Sequence, residues 1–128
     1  MTDFPNYPYP EPLIFDSHAH YDDAKFCEIR AELLAELPAH GVCGVVNCGC
    51  DTASSKAALA LAEKYPGIYA AVGIHPEDID PEWNIESVME ELKKQLAHPK
   101  VKALGEIGLD YHWDTPRDLQ KVWFRRQL

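Results

Sequence analysis

The sequence predicts an α/β fold of four consecutive βα units, about the first half of a (β/α)8 TIM-type barrel. Three observations lead there. Short apolar, β-branched runs alternate with longer stretches whose apolar residues recur at helical spacing, the pattern of a parallel sheet with right-handed crossovers. The units repeat about every 30 residues, as in a barrel whose full length is about 250 residues. Polar residues also stand at the carboxyl end of each proposed strand, the edge where parallel α/β folds build their sites. A flavodoxin-like open sheet also accommodates four units, but gives no reason for those polar residues to converge.

Residues 1–12 carry Pro5, Pro8, Pro10 and Pro12 and suit an extended arm, leaving 13–128 as the barrel segment. Leu13 to Ser17 reads as the first strand. Asp22 and Asp23 offer an N-cap to a helix through Phe26, Ile29, Leu33, Leu34 and Leu37, which Gly41 stops. Val42 to Asn47 is the second strand, and Thr52 caps a helix whose face is Ala58, Leu61, Ala62 and Tyr65, ended by Pro66-Gly67. Ile68 to Ile74 is the third strand. Ile85, Val88, Met89, Leu92 and Leu96 mark the third helix, which stops near His98-Pro99. Val101 to Gly105 is the fourth strand. Thr115-Pro116-Arg117-Asp118 then reads as N-cap, first-turn proline and capping acid of a helix through Leu119, Val122, Trp123 and Leu128. No stop signal follows, so the chain is expected to end in mid-element.

With 46% hydrophobic residues, the 128-residue chain is rich enough to bury a core. Acidic residues outnumber basic ones, 21 to 12, for a formal net charge of -9. Such a chain has no broad basic surface for nucleic acid, so a bound phosphate would need metal ions for its positive charge. There is no membrane-spanning stretch and no basic-then-apolar leader, which predicts a cytoplasmic protein with reduced thiols at Cys27, Cys43, Cys48 and Cys50.

The chemistry-bearing residues centre on Phe15-Asp16-Ser17-His18-Ala19-His20. Side chains two apart on a strand share a face, so His18 and His20 converge where the strand ends, as metal ligands or as hydrogen-bonded structural histidines. Metal ligation is favoured, because two imidazoles at one strand end are costly to bury without a partner. Asp16 either accepts a hydrogen bond from an imidazole or caps the strand. Glu106, flanked by glycines after the fourth strand, is a surface acid in isolation but a metal-bridging carboxylate beside two histidines. His75, held before Pro76, could support the site, donate to a phosphate oxygen or simply turn the chain. Asp110 and His112 line the same mouth. Cys48 and Cys50 form a single Cys-x-Cys pair without the partner pair of a structural zinc site, and are expected in the core.

Taken together, Phe15-Asp16-Ser17-His18-Ala19-His20, Val46-Asn47-Cys48-Gly49-Cys50-Asp51, Val72-Gly73-Ile74-His75-Pro76 and Gly105-Glu106-Ile107-Gly108-Leu109-Asp110-Tyr111 resemble the TatD family of metal-dependent hydrolases, usually described as deoxyribonucleases. The resemblance runs from about residue 13 to Leu128. It implies a barrel with two divalent ions at its carboxyl end, Mg, Mn and Zn being indistinguishable, and a DNA or other phosphodiester substrate held through those ions. His18 and His20 match the histidines that bind one metal, and Glu106 matches the acid that bridges both. The family's remaining ligands, two histidines of the fifth and sixth strands and an aspartate of the eighth, fall beyond Leu128, so the 128-residue chain alone is expected to be inactive. Cys48 and Cys50 stand where the family more often has an aliphatic residue and a threonine. An amidohydrolase-type enzyme cleaving C–N or ester bonds, and a non-enzymatic half-barrel that self-associates along its open edge, are the alternatives.

Overall fold

The computed structural model describes residues 13–128, and the expected proline-rich arm at 1–12 lies outside them. Among the described residues four parallel strands, β1 (Ile14–Ala19), β2 (Val42–Cys48), β3 (Ile68–Val72) and β4 (Val101–Leu104), lie side by side in the order β1-β2-β3-β4. Helices α1 (Arg30–Glu36), α2 (Thr52–Lys64), α3 (Ile85–Leu96) and α4 (Arg117–Gln127) alternate with them. Each strand pairs with the next in the chain, as consecutive right-handed βα units require. No helix among the described residues is long and apolar enough to cross a membrane.

The core lies where the helices cover β2 and β3. Val45, Ile68, Ala70 and Val72 are buried, and α2 contributes Ala58 and Ala62, whose small side chains let it lie close to the sheet. From α3 come Val88, Met89 and Leu92 of the expected apolar face, while Leu96 at its end is exposed and Gln95 is buried in the last turn. Trp123 of α4 is 2% exposed and meets Trp83 edge-on at 6.0 Å between ring centroids. The rest of α4 corrects its apolar reading: Val122 and Leu128 are exposed, while Gln120 and Gln127 share the buried face with Trp123.

Local signals in the first unit resolve differently from the expected single helix. Asp23 caps only a 3-10 turn, Ala24–Phe26, and α1 begins seven residues later at Arg30. Asp22 caps nothing there, because its Oδ1 accepts from Nδ2 of the fully buried Asn47. The Arg30 guanidinium donates to the carbonyls of Tyr21, Asp22 and Asp23, so the segment after His20 is tied to β2 and to α1. Backbone groups engaged in this way cannot open a helix. Past α1, Pro38 sits in a second 3-10 turn, Leu37–His40, and Gly41 ends it at φ 82°, a left-handed position that suits glycine.

Two other caps shift by one residue. Asp51, not Thr52, caps α2: its Oδ1 accepts from Ser54 N, and the Ser54 hydroxyl takes the Asp51 N–H in a reciprocal box. At α4 the cap position falls on Pro116, which offers no side-chain bond, while the Thr115 carbonyl is taken by Gln120.

Candidate metal centre

Contact between the outer strands fixes the shape of the sheet. In a flat sheet β1 and β4 would stand three strand spacings apart, about 14 Å. Yet His18 Nε2 of β1 lies 2.9 Å from Oε1 of Glu106, two residues past β4. Two things close the gap: the chain after β4 crosses the tip of β3 and sets Glu106 N on Gly49 O at 2.7 Å, and the twist of the parallel strands curls the carboxyl edge of the sheet around a centre. That curl is barrel curvature, not an open doubly wound sheet.

The backbone builds this centre from the three strand ends facing Glu106. Gly105 N donates to Val72 O at 2.9 Å, carrying the β3–β4 ladder one residue past β4, and Glu106 N then reaches across the tip of β3 to Gly49 O at 2.7 Å. Gly73 allows the approach, since a Cβ there would meet the Gly105 carbonyl carbon at 2.8 Å and Glu106 O at 2.9 Å. Beyond β3, side chains replace a neighbouring strand. The buried Ser55 hydroxyl bonds both Gly73 N and Gly73 O, and the Gln127 amide bonds both Ile74 N and Ile74 O.

His18 and His20 point to the same side of β1, with Nε2 atoms 3.2 Å apart. The register between β1 and β2 slips between Asp16 and Ala19, and the Asp16 carboxylate takes the backbone N–H of His18 at 3.1 Å. Asp16 therefore holds the main chain of the first histidine and not an imidazole. His20 Nδ1 lies 3.0 Å from the Cys48 carbonyl, which can only accept, so the neutral ring carries its proton there and turns the Nε2 lone pair inward. This backbone hydrogen bond is of the kind that fixes a metal-binding histidine. His20 Nε2 is 3.7 Å from Glu106 Oε2.

His18, His20 and Glu106 thus offer ligand atoms all within 4.8 Å of one another, a group that could hold a metal ion. Two imidazole nitrogens and a carboxylate suit a divalent first-row transition-metal ion. A fourth side chain joins them. Cys50, expected in the core, is half-buried, and its thiol donates to Glu106 Oε2 at 2.8 Å. Burial pushes the Cys50 thiol well above its usual value, and the hydrogen bond to Glu106 and the negative charge of that residue add to the rise. Cys48 is buried as expected, its thiol directed to the Val46 carbonyl. Sequence spacing alone does not separate the two cysteines. What does is the end of β2 at Cys48, after which Cys50 follows the loop toward β4.

The remaining candidate residues stand outside this group. His75 has its backbone N–H on Cys50 O at 2.7 Å and its Nδ1 accepting from Glu77 N. Burial pushes the Asp78 carboxyl upward, while the nearby His75 opposes the rise. Asp110 has both backbone groups held by the buried Gln120 amide, and its Oδ1 accepts from His112 N. The His112 ring meets Trp113 edge-on.

Residues 15–128 match the family model described as TatD related DNase. The chain is 39% identical over 120 residues to the uncharacterized metal-dependent hydrolase YabD of Bacillus subtilis (strain 168), covering 91% of this chain and 45% of that protein. It is 33% identical over 117 residues to a 3'-5' ssDNA/RNA exonuclease TatD of Cronobacter turicensis, covering 90% of this chain and 43% of the relative. The crystal structure of YJJV, a TatD homolog from Escherichia coli K12, superposes with a TM-score of 0.75 at 31% identity, covering 89% of this chain and 44% of that one. The chain therefore spans less than half the length of these relatives, and its four βα units correspond to the N-terminal part of their barrel. By sequence and by structure, it belongs to the TatD family of metal-dependent hydrolases.

Proposed function

We propose that this chain is the N-terminal half of a barrel hydrolase that cleaves phosphodiester bonds of DNA with two divalent ions. The observation that carries the reading is the convergence of His18, His20 and Glu106 across the curled sheet. Divalent ions held by His18, His20 and Glu106 would supply Lewis-acid chemistry there, polarisation of a phosphodiester and a more acidic water. The chain's own part is to hold and orient. His18 and His20 present Nε2 atoms from one strand end, the Cys48 carbonyl locks the His20 ring, and Glu106 turns Oε1 to His18 and Oε2 toward His20 and Cys50. With a net charge of -9, substrate affinity would come from the metals and from contacts near the scissile phosphate, making long-duplex binding weak. Kinship with a named ssDNA/RNA exonuclease supports a nucleic-acid substrate over the C–N or ester bonds of the alternative reading. His75, Asp110 and His112 are the residues we assign to the substrate side of the mouth.

The test is digestion of a single-stranded oligonucleotide by the 128-residue chain and by the same chain completed with the carboxyl-terminal part of a relative. The completed barrel should cleave, and should lose activity on chelation and on Glu106→Gln, while the 128-residue chain alone stays inactive. A completed barrel that cleaves equally well after Glu106→Gln sinks the reading.

A second reading has one observation of its own. Leu13, Ile14 and Phe15, at or on the edge strand β1, are 45%, 53% and 47% exposed, an apolar edge that favours self-association of the isolated chain. Sedimentation that is independent of concentration removes it.

A further inference from the structure

We propose that Cys50 is a positioning residue of the metal centre: its thiol, donating to Glu106 Oε2, sets the carboxylate so that Oε1 faces the His18 ring. The inference rests on the reading of His18, His20 and Glu106 as metal donors and adds a part that the three-residue group leaves unexplained.

A glutamate on a loop has three side-chain torsions to fix, and its backbone anchor on Gly49 O fixes none of them. Its two oxygens are nevertheless distinguished. Oε1 is 2.9 Å from His18 Nε2, whereas Oε2 is 3.7 Å from His20 Nε2 and 2.8 Å from Cys50 Sγ. The thiol makes the closer contact to Oε2. Cys50 is itself held on a rigid stretch, its N–H on the Ser54 hydroxyl at 2.8 Å and its carbonyl accepting from His75 N at 2.7 Å. The Asp51–Ser54 box that starts α2 lies directly beside it.

A protonated thiol has one hydrogen to give, and here it goes to the carboxylate. Cys50 thus ties the start of α2 to Glu106, making the helix start and the carboxylate one mechanical unit. A hydroxyl at this position preserves the donor; an aliphatic side chain of similar size does not. Donors to metal-binding carboxylates act in this way, and losing one costs about 10-fold to 100-fold in metal affinity.

The experiment measures Mn²⁺ binding by calorimetry for the purified chain and its Cys50→Val and Cys50→Ser variants, with circular dichroism to show that all three are folded. Cys50→Val should bind about 10-fold more weakly, and Cys50→Ser should restore most of the loss. A second readout needs no metal. The infrared S–H stretch of Cys50, isolated as the difference between the parent and Cys50→Ser, should lie at the frequency of a hydrogen-bonded thiol and shift toward that of a free thiol in Glu106→Ala. Cys50→Val binding as tightly as the parent, or Cys50→Ser binding as weakly as Cys50→Val, overturns the inference. If the 128-residue parent binds no Mn²⁺, the calorimetry is run on the barrel completed with a relative's carboxyl-terminal part, and the infrared arm decides the contact: an S–H band unmoved by Glu106→Ala overturns it, and a shifted band supports it.

Discussion

The inner strands β2 and β3 and the outer strands β1 and β4 are built from similar apolar runs but serve different ends. β2 and β3 have a paired strand on each side and bury Val45, Ile68, Ala70 and Val72 under the helices. Among the described residues β1 and β4 have one neighbour each and leave Ile14, Phe15, Lys102 and Ala103 exposed, yet the segments at their carboxyl ends deliver all three members of the candidate metal group. The inner pair supplies stability and curvature, and the outer pair spends that curvature on bringing His18 and Glu106 together. Chemistry in this chain depends on packing that the chemical residues do not share.

The largest effect that would break this division is on stability. Ile68→Ala, at a site 4% exposed, should cost about 2–5 kcal/mol in urea unfolding, whereas Ile14→Ala, 53% exposed, should cost under about 1 kcal/mol. Equal costs would mean that the edge strand is as much a part of the core as the centre. Next comes Gln127→Leu, which strips Ile74 N and Ile74 O of their side-chain partner and should cost about 2–3 kcal/mol in the same measurement. A neutral result would show that the segment after β3 does not need that amide.

His20→Ala should do the reverse of Ile68→Ala. Mn²⁺ affinity should fall at least about 10-fold, worth about 1.4 kcal/mol, with the urea midpoint unchanged. A shift in the midpoint as large as that of Ile68→Ala would merge the two roles. The smallest effect concerns Cys48, whose thiol is pushed up from 9.0, first by burial and then by the charge of Glu106. Below 9.0 the thiol is neutral in both folded and unfolded chains. Above it the unfolded chain releases the proton more readily than the folded one, so stability falls as pH rises through that value. Cys48→Ala should flatten the fall in urea midpoint measured on either side of pH 9.0.

The order of elements was legible because hydrophobic period and stop signals agree. Gly41 ends its turn where a left-handed residue is needed, and Val88, Met89 and Leu92 keep helical spacing along α3. His18, His20 and Glu106 were legible because strand-end placement is a local property. What escaped were polar side chains acting as backbone partners. Ser55, in line with Ala58 and Ala62, and Gln120 and Gln127, two turns apart with Trp123 between them, lie on buried helix faces. An apolar pattern search counts such residues as gaps, and only their partners, Gly73, Ile74 and Asp110, reveal why they are buried. Asp22 departs from its expected role for a related reason. It has the chemistry of a helix cap, but the distant Asn47 claims its carboxylate.

The pairing of Ser55 with Gly73 and of Gln127 with Ile74 also bears on how this fold could be altered. Where a strand ends against another strand, moving its tip means changing the register of the whole sheet. Here two side chains hold Gly73 and Ile74 beyond the last ladder residue of β3, so a shorter amide at position 127 would release Ile74 while every ladder bond of β2, β3 and β4, and the His75 N to Cys50 O bond, stayed in place. Evolution or a protein engineer could reshape this wall one residue at a time.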